Sequence, residues 1–148
     1  MALIERDQPY KGSRFMVNLG DYDVEDFVEV RLPSTKTGVN NYRTGTDGPF
    51  HRKLWGATTH DDIVLIRGAD EDDTLLQWRQ KVNEGNIEDA RVDTIEVVLQ
   101  TENGESGPRW VFADAWPREY HPPDLTSRGN EVALEAIVLA FDDYVRDE

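Results

Sequence analysis

The 148-residue chain has no cysteine. That excludes a disulfide framework, a thiol nucleophile and every cysteine-ligated metal site. Lysine is nearly missing too, confined to Lys11, Lys36, Lys53 and Lys81, so the basic side chains are mostly arginine. No apolar run approaches the roughly 20 residues of a membrane-spanning helix. The polar start, Met1-Ala-Leu-Ile-Glu-Arg-Asp, gives no expectation of a signal peptide. Histidine is limited to His51, His60 and His121, with no pair at i, i+4 and no His-Glu-x-x-His. No nucleophile elbow, phosphate-cradling glycine loop or dinucleotide fingerprint occurs. The expectation is of a protein with no catalytic residue, no metal and no cofactor.

Acid is abundant. Thirty Asp and Glu against sixteen Lys and Arg give a net charge of −14. A chain so acidic offers no counterion release to a phosphate backbone, so specific nucleic-acid binding is not expected. The carboxylates are spread along the chain rather than gathered in a tail. Two readings stay open: a halophilic source, where concentrated salt screens their repulsion within about 3 Å at 1 M, or an ordinary acidic protein. The clusters at 21–29, 70–73 and 142–148 lack the alternating ligands and glycine of a calcium loop.

Period-two alternation marks half-buried strands. Phe15, Val17 and Leu19 alternate with Arg14, Met16 and Asn18, and Val28, Val30 and Leu32 alternate with Glu29 and Arg31. Gly20-Asp21-Tyr22-Asp23 between them supplies turn residues, which predicts a hairpin. Ile63 to Arg67 reads as a short buried strand ended by Gly68. Residues 93–116 read as a second hairpin turning at Asn103-Gly104, with Trp110, Phe112 and Trp116 on one core-facing side. Leu75, Trp78 and Val82 make one helical stripe. Asp70, Glu71, Asp72 and Asp73 precede it as caps, Lys81 lies near its end, and Gly85 is its stop. Val132 to Phe141 alternates like a strand, yet its Ala and Leu content leans slightly to helix.

Pro33 to Asp61 shows no period and reads as a long loop; Gly45-Thr-Asp-Gly48 is a turn signal within it. Loops of that length inside a domain are usually functional, disordered or ordered by a partner. Trp55 lies in it, either as an interface anchor or folded back onto its own domain.

Taken in order, these pieces resemble the inner tube proteins of contractile tails, from myophages and from extracellular contractile injection systems. The resembling pieces are Arg14-Phe-Met-Val to Phe27-Val-Glu-Val, Tyr42-Arg-Thr-Gly and Arg52-Lys-Leu-Trp-Gly. They continue with Ile63-Val-Leu-Ile-Arg-Gly68, Leu76-Gln-Trp78, Trp110-Val-Phe-Ala-Asp-Ala-Trp-Pro117 and Asn130-Glu-Val-Ala-Leu-Glu135. The family commonly has Leu-Pro-Gly where this chain has Leu54-Trp55-Gly56. The resemblance implies a mainly β fold, an antiparallel β-sandwich or small barrel with one flanking α-helix, similar to type VI secretion tube subunits. It implies one domain over 1–148, with 130–144 a strand. It implies a structural role: six copies in a ring, rings stacked into a tube around a lumen for cargo or DNA. The implied partners are the chain itself, a sheath, and baseplate and tube-end proteins. The long loop, about 33–61, would touch the neighbouring ring. Its candidate contacts are Arg43, Phe50, Arg52, Lys53, Leu54, Trp55 and Gly56, with Asp70, Glu71, Asp72 and Asp73 as acidic counterparts. The particle would be assembled after synthesis in the cytoplasm, in a haloarchaeal host if the acidity reflects salt. The alternatives are a variant at the tube end or baseplate, or a stand-alone β-sandwich binding module.

Overall fold

The computed structural model describes residues 10–42 and 52–147. Nine strands and two short helices follow in chain order: β1 Phe15–Asn18, β2 Phe27–Arg31, β3 Thr35–Tyr42, β4 Arg52–His60, β5 Ile63–Gly68, α1 Thr74–Asn83, α2 Ile87–Ala90, β6 Val92–Gln100, β7 Ser106–His121, β8 Leu134–Ala140 and β9 Asp143–Asp147. The fold is mainly antiparallel β with flanking helix, as the sequence led us to expect.

The main sheet runs β1-β6-β7-β8-β5-β2, with β9 also on β7. Strand β7 is long enough to serve two half-sheets. Its first part pairs with β6 and β9, and its last part with β8. The bend falls at Asp114, whose φ is +55°. Both half-sheets turn Ile95, Val97 and Phe112 on one side and Ile63, Leu65, Ile137 and Leu139 on the other into a single core. Leu75 and Trp78 of α1 complete it.

The second predicted hairpin forms. Strands β6 and β7 pair antiparallel, and Gly104 takes φ +84° in the turn, donating to the Thr101 carbonyl at 3.0 Å. The helix stops where expected. Gly85 at φ +79° donates to Val82, and Asn86 donates to Lys81, the paired bonds of a Schellman ending. Its start differs in detail. Asp73 occupies the N-cap without a side-chain cap bond, and Asp72 instead accepts from the Thr74 N–H at 3.0 Å.

Four expectations are corrected. The first hairpin does not exist: β1 pairs with β6 and β2 with β5, at opposite ends of the sheet. The 19–26 turn spans the two edges rather than joining neighbours. Within β2 a bulge after Phe27 turns Phe27 and Val30 to the core and leaves Val28 exposed. Along β7 the positive φ at Asp114 reverses the alternation, so Ala115 and Pro117 are buried and Trp116 is only half-buried. Finally, the slight local lean to helix gives way: 134–140 is strand, as the resemblance implied for 130–144, with a second strand over 143–147. Pairing on both sides, with β5 and β7, overrides local propensity.

Candidate assembly interface

The segment read as an unpatterned loop is a two-stranded arm. Strands β3 and β4 pair only with each other, from Thr35↔His60 to Tyr42↔Arg52. The missing period has a physical cause: in residues 35–41 and 53–60 every residue except Gly56 and His60 is exposed, so neither face carries an apolar row. An isolated two-stranded hairpin is marginal in water. This one is held at its base. Asp61 N–H donates to Ser34 at 2.9 Å, and Thr35 Oγ1 lies 3.1 Å from His60 Nδ1 and 2.9 Å from the Tyr144 hydroxyl. The His60 ring stacks on Phe141 with centroids 5.4 Å apart.

Beyond that base the arm offers apolar side chains to solvent. Trp55 is 89% exposed, opposite Val39 at 58%. Lys53 shares their face two residues along, and half-exposed Leu54 points to the other. The arm therefore does not fold back to bury Trp55. Gly56 answers to the facing strand: a Cβ there would sit 3.2 Å from the Gly38 carbonyl oxygen. Arg52 contributes its backbone to the pairing. Arg43, Phe50, His51 and the turn signal at 45–48 lie outside the described residues.

The acidic candidates are partly committed within the chain. Asp70 receives Arg67 Nη1 and Nη2 at 3.2 and 3.0 Å. Those bonds hold its carboxyl below the ordinary carboxylate range. Asp72 is likewise lowered, first by the Thr74 hydroxyl and then by the Thr74 N–H. Asp73 accepts from Gln77 Nε2 at 2.9 Å. Glu71 is exposed.

The sequence reading ended the strand at Arg67 but did not foresee that this side chain is buried. It is 2% exposed on the inward face of β5, four residues after Ile63. Its Nη1 donates to Glu135 at 2.8 Å, and its Nε to the Glu25 carbonyl at 3.2 Å. The Tyr120 hydroxyl donates to the second Glu135 oxygen at 2.6 Å. Burial opposes the Arg67 charge, but the carboxylates of Asp70 and Glu135 outweigh it and raise its pKa. Burial and the bond to Glu135 push the Tyr120 hydroxyl up to about 12. Parity along 63–67 was the signal available: the period that buries Ile63 and Leu65 also buries Arg67 and demands a partner for it.

The family model of the T4-like virus tail tube protein gp19 matches residues 11–145. The chain belongs to that tail tube family. No curated protein matches it. Among solved structures, chains of the anti-feeding prophage baseplate align at 21% identity and TM-score 0.79, covering 95% of this chain and 96% of theirs. The tube-terminating cap of the same prophage aligns at 25% identity and TM-score 0.79, covering 99% and 95%. A sheath–tube complex of an extracellular contractile injection system, PVC, aligns at 21% and 0.78, covering 96% and 93%. A type six secretion system protein is more distant, at 15% and 0.58, covering 89% and 81%. The tail tube family is a structural one, and a structural role in a tube is the role of this chain.

Proposed function

We propose that this chain is the repeating subunit of the inner tube of a contractile tail or injection particle. Six copies form a ring, rings stack, and the lumen passes cargo or DNA. The single observation that carries this reading is the exposed arm on a tail tube fold, with Trp55 almost wholly in solvent. A two-stranded element with no buried face, carrying a large exposed aromatic, gains its stabilisation from a neighbour. The sheet agrees. Strands β1 and β2 close the two ends of the sheet path and each pair on one side, as does β9, so the described residues leave sheet edges free. Joining those edges between copies closes a ring of sheet and removes an aggregation liability. Basic Lys53 with Arg43 and Arg52 meets acidic patches of the next subunit. The sheath encloses the tube, and baseplate and cap proteins hold its ends, as the assemblies of the similar structures suggest.

The similarity to a tube-terminating cap supports a second reading, a variant subunit at the tube end. The acidity supports a high-salt working environment, because 14 surplus negative charges repel within a ring unless screened. Negative-stain microscopy and mass photometry of the purified chain test the proposal. Sixfold rings and open-ended tubes are expected. Rings that never stack point to the end-of-tube variant, and a persistent monomer in low and high salt overturns both.

A further inference from the structure

The arm and the acidic loops leave opposite ends of the sheet. Strand β2 ends at Arg31 beside Val64, and β5 begins at Ile63 beside Leu139, so the arm between them starts at that end. At the other end, Gly68 of β5 faces Leu134 of β8. There the 69–73 loop and the 122–133 connection meet through an Ala69 N–H to Ala133 carbonyl bond of 2.8 Å. Six residues of β5 separate the two ends, about 20 Å at strand rise.

That second end carries a groove that sets exposed apolar side chains beside acidic ones. It is lined by Leu125, Val132 and Leu134, which are 84%, 75% and 46% exposed, together with Asp124 and Glu131. No basic side chain lines it. We infer that this groove receives the arm of a second copy of this chain, with Trp55 and Val39 against Leu125, Val132 and Leu134. The inference rests on the tube reading and names its receptor. The charges match: Lys53 shares the face of Trp55 and comes to Asp124 and Glu131. Those two replace Asp70, Asp72 and Asp73, whose carboxylates already hold Arg67, Thr74 and Gln77. Knob and groove sit at opposite ends, so the contact is head-to-tail and repeats without closing, which is the geometry of a stack.

The cysteine-free chain makes the test clean. The double variant Val39→Cys, Val132→Cys, which keeps Trp55, is assembled, treated with a mild oxidant and run on a non-reducing gel. A ladder of linked copies is expected. Val39→Cys paired with Val145→Cys, also exposed but on β9, should give no ladder. Val132→Asp is the second arm: ordinary subunit melting with growth stopped at single rings is expected. Tubes that form without the ladder, or full-length tubes from Val132→Asp, overturn the groove assignment and leave the tube reading standing. Wild-type chain that never assembles overturns both.

Discussion

Arg67→Met is the most informative change inside the subunit. The guanidinium is 2% exposed and Glu135 is 6% exposed. Removing it strips Glu135 of its 2.8 Å partner and leaves the Tyr120 hydroxyl as its remaining donor. Asp70 loses both of its guanidinium bonds, but its side chain is half in solvent and rehydrates. The Glu25 carbonyl loses the Nε bond. The dominant penalty is therefore the buried carboxylate left without a cation, about 3–5 kcal/mol. Arg67→Met with Glu135→Gln removes that charge, and the expected loss falls to about 1–2 kcal/mol, the range of imperfectly satisfied polar groups. Urea unfolding at pH 7, at a protein concentration low enough to keep the subunit monomeric, measures both. A loss under about 1 kcal/mol in the single variant, or an equal loss with and without Glu135→Gln, refutes the reasoning.

Three other outcomes follow from the same structure. Gly56→Val drives a side chain into the Gly38 carbonyl; assembly should fail while the subunit melts within about 0.5 kcal/mol of wild type, since the arm packs little of the core. Tyr120 carries its proton to about pH 12 in the folded chain and to roughly 10 when unfolded. Its contribution is therefore complete below pH 10 and declines as pH rises toward 12, by roughly 2–3 kcal/mol; Tyr120→Phe should flatten that slope in an alkaline denaturation series. Raising salt from 0.1 to 1 M shortens the screening length from about 10 to 3 Å, so the critical concentration for assembly should fall, and a rise would argue against carboxylate repulsion as the opposing force.

What was legible in the sequence was local. The period through Ile63 and Leu65, the Asn103-Gly104 turn and the Leu75–Trp78–Val82 stripe each fix structure within a dozen residues. Strand partners were not legible. Phe15 meets Leu99, and Val30 meets Leu65; such pairings are decided by closure of the whole sheet and leave no trace near either residue. The arm was hidden for the opposite reason, because strands exposed on both faces have no alternation to show. Trp116 was misplaced by one backbone angle at Asp114. On the interface, Trp55 was visible as a large aromatic without a local core, whereas Leu125 drew no notice and Val132 was read only as the start of an alternating segment until their exposure was known.

The central claim is that this chain is stabilised in function by its neighbours through the arm. Trp55→Ala tests it most directly, by the tube-length distribution in negative stain beside the urea melt of the subunit. Burying an indole removes 150–250 Å² from water, about 4–6 kcal/mol at 25 cal/mol/Å², and all of that gain lies between copies. The account predicts single rings or very short tubes with subunit stability changed by less than about 0.5 kcal/mol. Tubes of ordinary length from a normally folded variant, or a subunit that unfolds for want of this exposed side chain, contradict it.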